Sequence, residues 1–377
     1  MTRRIVFLDY VRVFACFLVM LVHASENYYG APGSTDMAGP QSFLANDTDR
    51  FWVSLYDGFS RMSVPLFMIV SAFLLVPVRE GMSMVEFYRR RAVRILPAFL
   101  LFMVVYATVP VLWGQISLET SFSDLTRLPL NFPTLAGHLW FMYPLISLYL
   151  FIPVISPWLV RAKASEERVF IGLFLLSSCM PYLSRFFGAL WGQCFWNEFH
   201  MLWYFSGYLG YLVLAHYIRV HLDWTRARRF AVGSVAMAIG AVWTILSFYL
   251  QAVPGQLHAT PVLEIGWSFC TINCVLLTSG AFLLFSCIRA ASTPKWIAEM
   301  SNLSYGMYLM HILWLGFCVS IFKDRLQLPT GVAIPVIAAA TFVCSMVATK
   351  ILSVLPFCSW MAGVKRQSPQ DRTPVLD

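Results

Sequence analysis

Two ionisable residues bracket the first hydrophobic run of this chain: RVFACFLVMLVH opens on Arg12 and closes on His23. Such groups are costly inside a bilayer, and where they face a helix bundle they mark functional sites. Eleven residues at about 100° each make nearly three helical turns, so both side chains leave one face about 16 Å apart along the axis. Asp9 lies three residues before Arg12 and Glu26 three after His23, which extends the stripe. An imidazole in this setting can act as a general base or as a transient acyl carrier. A guanidinium can hold an anion through its planar fork. Arg12 alone could simply snorkel to the interface, but two interfacial markers have no need to share a face. Pairing with Asp9 would lower the cost of keeping Arg12 at that depth.

Further polar residues sit in apolar surroundings. In EFYRRRAVRILPAF, Arg91 and Arg94 are three apart where a span begins, a pattern suited to phosphate groups of anionic lipid or of a nucleotide cofactor, or to a plain topology signal. SRMSVPLFMIVSAFLL places Arg61 at the outer end of a span with Pro65 and Ser71 inside it. Pro65 removes a backbone hydrogen bond and bends the helix; Ser71 can bond to its own helix. His138 and Trp140 fall near the outer boundary at about the depth of His23, where a Trp is ordinarily an interfacial anchor. Ser304, Tyr308 and His311 in NLSYGMYLMH follow i, i+4, i+7, a polar stripe whose ordinary use is interhelical hydrogen bonding.

The chain that must position these residues has 377 residues, 59% of them hydrophobic and only 12% charged, with a mean hydropathy of +0.68. Soluble domains carry about 25% charged residues, so the composition predicts an all-α integral membrane protein with no room for a separate soluble domain. Ten runs are long enough to cross a bilayer: residues 5–24, 58–77, 95–113, 139–160, 169–188, 200–217, 230–252, 263–287, 299–320 and 332–356. Residues 1–360 then form one polytopic domain and 361–377 a disordered cytoplasmic tail. Arginine and lysine concentrate in alternate loops, at positions 79, 89–94, 161–168, 219–229 and 289–295 and in the tail, which puts both termini in the cytoplasm.

The net charge of +8 therefore reads as orientation, with no nucleic-acid partner. Loops 25–57 and 114–138 read as outer, solvated segments that could contribute to an acceptor site. Nine cysteines, mostly inside apolar runs, read as free thiols; Cys270 and Cys274 lack nearby ligands of other types, so no metal is expected. Arg3, Arg4 and the run behind them imitate a signal peptide, but Asp9, Arg12 and the run's length argue against cleavage.

Taken together, FLDYVRVFACFLVMLVH, SRMSVPLFMIVSAFLL, YRRRAVRILPAF, HLWFMYPLISLYLFIP and LSYGMYLMH resemble the acyltransferase family 3 membrane proteins, which acylate, usually acetylate, cell-surface and secreted glycans. The resemblance covers essentially the whole chain. It implies a ten-helix domain without the esterase-like periplasmic domain of some members, and it puts the family's arginine–histidine pair on Arg12 and His23 and its basic cytoplasmic motif on Arg91 and Arg94. Ala72 stands where many members have glycine.

The expected reaction moves a short acyl group, acetyl first among them, from cytoplasmic acyl-CoA to a glycan hydroxyl across a bacterial inner membrane. His23 and Glu26 are the expected catalytic residues and Arg12, Arg91 and Arg94 the donor-binding ones. Arg61, His138 and Trp140 are expected at the acceptor, and Asp9, Ser71, Ser304, Tyr308 and His311 as polar support. The expected partners are a polysaccharide or lipid-linked glycan, acyl-CoA, membrane lipids and proteins of a glycan synthesis or export system. A secondary transporter or flippase for a glycan-lipid or small metabolite is the rival, though the repeat symmetry and paired broken helices common in transporters are not visible. A non-catalytic scaffold would leave Arg12, His23 and the basic cluster without a joint purpose.

Overall fold

A computed structural model describes residues 5–30, 41–188, 190–192, 199–356 and 358–363. In chain order the helices are α1 (Val6–Glu26), α2 (Asp47–Ser60), α3 (Ser63–Leu75), α4 (Met84–Thr108), α5 (Leu118–Arg127), α6 (Met142–Arg161), α7 (Ala164–Ser178), α8 (Met180–Phe187), α9 (Tyr208–Val220), α10 (Arg226–Gln251), α11 (Thr260–Leu263), α12 (Ile272–Phe285), α13 (Lys295–Val319) and α14 (Thr330–Val354). Eight stretches are long and apolar enough to cross a membrane, nine if the pair α7–α8, bent by 41°, is one span. The architecture is all-α and polytopic, as expected. The described chain has just two short strands, β1 (Gln41–Phe43) and β2 (Leu257–Ala259), paired antiparallel with Ser42 opposite His258.

The expected run 200–217 is the one that differs. A 3₁₀ turn, His200–Phe205, leads into Gly207 at φ +71°, a left-handed value that glycine adopts without steric cost. The helix after it, α9, has 13 residues and so rises only about 20 Å, against roughly 30 Å of hydrocarbon. It is not among the stretches long and apolar enough to cross a membrane.

The central element is α1, which packs against α13, α14, α3 and α2. Val11, Ala15, Leu18 and Met20 are buried around it, and Cys16 donates to the Ser304 carbonyl at 3.8 Å. At the other extreme, α10 turns most of its surface outward and grips α12 through small residues: a Cβ on Gly240 would lie 2.4 Å from the Leu277 nitrogen. Without a hydrophobic drive between helices in lipid, such close backbone approach supplies the packing.

Two loop readings change. Residues 47–57, expected as outer loop, form α2 together with the first residues of the expected span 58–77, capped by the Asn46 side chain accepting from the Asp49 nitrogen at 2.8 Å. The following break at Arg61 and Met62 precedes Pro65, whose missing N–H then falls harmlessly in the first turn of α3. Within the other loop, residues 118–127 form α5. The packed chain also runs past the expected boundary at 360: Ala362 is buried, and its carbonyl lies where a Cβ on Gly306 would come within 2.7 Å. Residues 364–377 of the expected tail, and Arg3 and Arg4, lie outside the described residues.

Candidate active site

A cavity of about 850 Å³ opens beside α1 and holds six arginines in its wall: Arg12, Arg79, Arg90, Arg91, Arg94 and Arg219. Four different stretches of chain supply them, which is why the sequence shows only the local pair on α4. Arg90 pairs with Glu86 one turn back, and Arg219 donates to the Phe73 and Val76 carbonyls at 2.8 and 3.2 Å. Among the described residues no carboxylate pairs with Arg91 or Arg94. Asp9 and Ser304 also line the space. The Asp9 carboxylate accepts from Thr293 at 2.8 Å and Ser301 at 2.7 Å, tying α1 to the start of α13. Deeper in, Ser71 takes a hydrogen bond from Tyr149 at 3.4 Å, and the wall reaches Phe141 and Tyr308.

Tyr308 joins this cavity to a second centre. Its hydroxyl donates to the His138 carbonyl at 2.6 Å, and its ring lies 5.9 Å from that of His311. Three imidazoles gather there: His23 stacks on His311 at 5.1 Å between centroids, His138 meets His311 edge-on at 4.9 Å, and His23 and His138 are 6.4 Å apart. The rings come from α1, from the 3₁₀ turn Gly137–Phe141 and from α13.

The hydrogen bonds fix which nitrogens remain available. His23 Nδ1 lies 2.6 Å from Glu26 Oε2; a proton donated along that line leaves the lone pair on Nε2. His311 Nδ1 donates to the Tyr308 carbonyl at 2.6 Å and His138 Nε2 to the Leu309 carbonyl at 3.4 Å. His311 Nε2 and His138 Nδ1 are then buried with no partner among the described residues. Orphaned buried nitrogens are rare in a settled core. Two neighbouring rings thus keep lone pairs that a hydroxyl donor would satisfy.

Behind Glu26 stands a buried charge network. Arg61, with 7% of its side chain exposed, lies 3.9 Å from Glu26, 2.6 Å from Asp57 and 3.9 Å from Glu264. Its guanidinium covers the Trp267 ring at 4.3 Å and donates to the Tyr29 hydroxyl, which in turn donates to Glu264 at 2.8 Å. Arg61 is thus enclosed by α2 and Trp267, within reach of Glu26 at the same end of α1 as His23.

Of the residues singled out in the sequence, His23, Glu26, Arg61, His138, Tyr308 and His311 come together, while Arg12, Arg91, Arg94, Asp9, Ser71 and Ser304 share the cavity with Tyr308. Trp140 does not join the histidines; it stacks on Phe269 at 5.4 Å. Sequence reading missed Asp57, Glu264, Tyr29, Trp267 and Arg219. Only Asp57 left a usable signal, a carboxylate four residues before Arg61 in VSLYDGFSR, the i, i+4 spacing of a helical ion pair. A second cavity, about 420 Å³ and walled by Leu148, Leu150, Phe151 and Leu209 among others, contains no charged residue.

The family model described as an acyltransferase domain matches residues 5–350, a stretch that includes both centres. No curated protein and no solved structure matches the chain.

Proposed function

The chain belongs to this acyltransferase family and is a multi-pass membrane acyltransferase; from that premise we propose that it moves a short acyl group, acetyl in the first instance, from cytoplasmic acyl-CoA to a hydroxyl of a cell-surface or exported polysaccharide. The setting is a bacterial inner membrane, with the arginine-rich end in the cytoplasm. The observation that carries this reading is the single cavity from six arginines to Tyr308, beside the three histidines. A long donor with phosphates at one end and a thioester at the other fits that polarity.

In this reading Arg91, Arg94 and Arg12 hold the CoA phosphates through charge-assisted hydrogen bonds. The pantetheine arm lies along Ser71 and Tyr149, which brings the thioester to the histidine end. His23 Nε2 takes the proton of the glycan hydroxyl as that oxygen bonds to the acyl carbon. The C–S bond then breaks, and the departing CoA thiolate recovers the proton. Glu26 holds the His23 tautomer and stabilises the imidazolium that forms, and Arg61 holds Glu26. His138 and His311 accept from the incoming hydroxyls.

Replacing Arg91 and Arg94 together with alanine should raise the KM for acyl-CoA by about tenfold or more, since each charged hydrogen bond contributes roughly 1.5–3 kcal/mol, while kcat changes little. Steady-state assays in reconstituted membranes test this. An unchanged KM would remove these residues from donor binding.

A further inference from the structure

Glu167, His216 and His221 form a compact set apart from both centres. Glu167 lies in the first turn of α7, His216 in the last turns of α9 and His221 at its C-cap. His216 Nδ1 is 2.9 Å from Glu167 Oε1 and His221 Nε2 is 3.1 Å from the same oxygen. The ligand atoms of all three residues lie within 4.8 Å of one another. Glu167 is completely buried and His216 nearly so, while His221 keeps 20% of its side chain exposed, an approach from solvent.

The arrangement is poorly balanced as a hydrogen-bond cluster. Both rings address one carboxylate oxygen, and the other, Glu167 Oε2, is buried with no partner among the described residues. No arginine or lysine among them pairs with this carboxylate either. A buried carboxylate that lacks a full set of partners is costly. Ligands around tetrahedral zinc, at about 2.0–2.2 Å from the ion, stand roughly 3.3–3.5 Å apart, and the two histidine–carboxylate distances of 2.9 and 3.1 Å need to open by only a few tenths of an ångström to match.

We infer that Glu167, His216 and His221 bind a divalent transition-metal ion of the zinc class, with two imidazoles and one carboxylate as ligands and a fourth position open towards the exposed side of His221. The sequence reading assigned no metal. Glutamate and the two histidines lie on separate helices, and the spacing of five between His216 and His221 works only because His221 is past the end of α9. Metal at this point would clamp α7 to α9. Arg219, between the two histidines, holds the Phe73 and Val76 carbonyls and lines the donor cavity, so the clamp would steady the cavity mouth. The inference stands independently of acyl transfer.

The test uses the full-length protein purified in detergent, stripped with a chelator and titrated with Zn²⁺, and separately with Mg²⁺, against a chromophoric competitor. One Zn²⁺ per chain, a rise in melting temperature on binding and no effect of Mg²⁺ are expected. Glu167→Gln should weaken zinc binding by more than the roughly 10- to 100-fold that outer-sphere changes cost. The more exposed His221→Asn, the variant safer for folding, should abolish the zinc-dependent rise in melting temperature. Zinc binding unaltered in a folded His221→Asn protein, or no stoichiometric binding to the wild type, would overturn the assignment and leave a hydrogen-bonded carboxylate–histidine cluster in its place.

Discussion

His23→Ala should lower acyl transfer to the glycan by about 10²–10⁴-fold, the usual worth of a positioned general base, while the KM for acyl-CoA stays near the wild-type value. The reason is local. His23 is the one member of the three-histidine cluster whose ring is oriented by a carboxylate, Glu26 at 2.6 Å, whereas His138 and His311 are held by backbone carbonyls. A carboxylate behind the ring stabilises the imidazolium that proton abstraction creates; a carbonyl does so less. Glu26→Gln keeps a hydrogen-bond acceptor but removes that charge, so it should lose part of kcat with little change in donor KM. The measurement is single-turnover transfer in reconstituted membranes. Wild-type rates in His23→Ala would reject the assignment, and a stable acyl group on His23 trapped without acceptor would replace the general base with an acyl carrier.

Arg61→Met should have the largest effect on stability. Its guanidinium is the partner that Asp57, Glu26 and Glu264 share, and Asp57 is fully buried. Breaking one side of a buried ion pair typically costs about 3–5 kcal/mol, because the remaining charge is left uncompensated. We expect the melting temperature of the detergent-solubilised protein to fall by several degrees and activity to fall with it, since Glu26 loses its anchor. The paired variant Asp57→Leu with Arg61→Met should regain much of the stability, because an apolar pair of similar volume is often neutral or better. It should not regain activity. A melting temperature unchanged in Arg61→Met would show that the network does not hold this end of the bundle.

The stripe on α1 was legible from sequence because it is local: eleven residues are three turns whatever surrounds the helix, and Arg12 duly lines the cavity while His23 lies in the histidine cluster. The basic pair Arg91 and Arg94 was legible for the same reason. What could not be read was convergence. Nothing local to His138 or His311 says that both rings pack on His23, and Arg219 reads as one more charge in an inner loop until α9 is packed against α3. Residues 47–57 hid in a different way, since their polar composition imitates a loop. Yet the Asn46 cap, the acidic first turn and the spacing of Asp57 to Arg61 were available signals of α2. The expected run 200–217 failed as a regular span because Gly207 breaks it, and hydropathy does not register a backbone angle.

The most direct test places donor and acceptor on opposite sides of one membrane. In sealed vesicles of defined orientation, acyl-CoA labelled in the acyl group is supplied only at the arginine-rich face and polysaccharide only at the histidine face. The polysaccharide is then recovered for mass spectrometry. The account predicts a mass gain of one labelled acyl group on the polysaccharide, absent with His23→Ala and absent when the donor is supplied on the other side. Polysaccharide of unchanged mass with both substrates present, or translocation of a glycan-lipid without acylation, would contradict it.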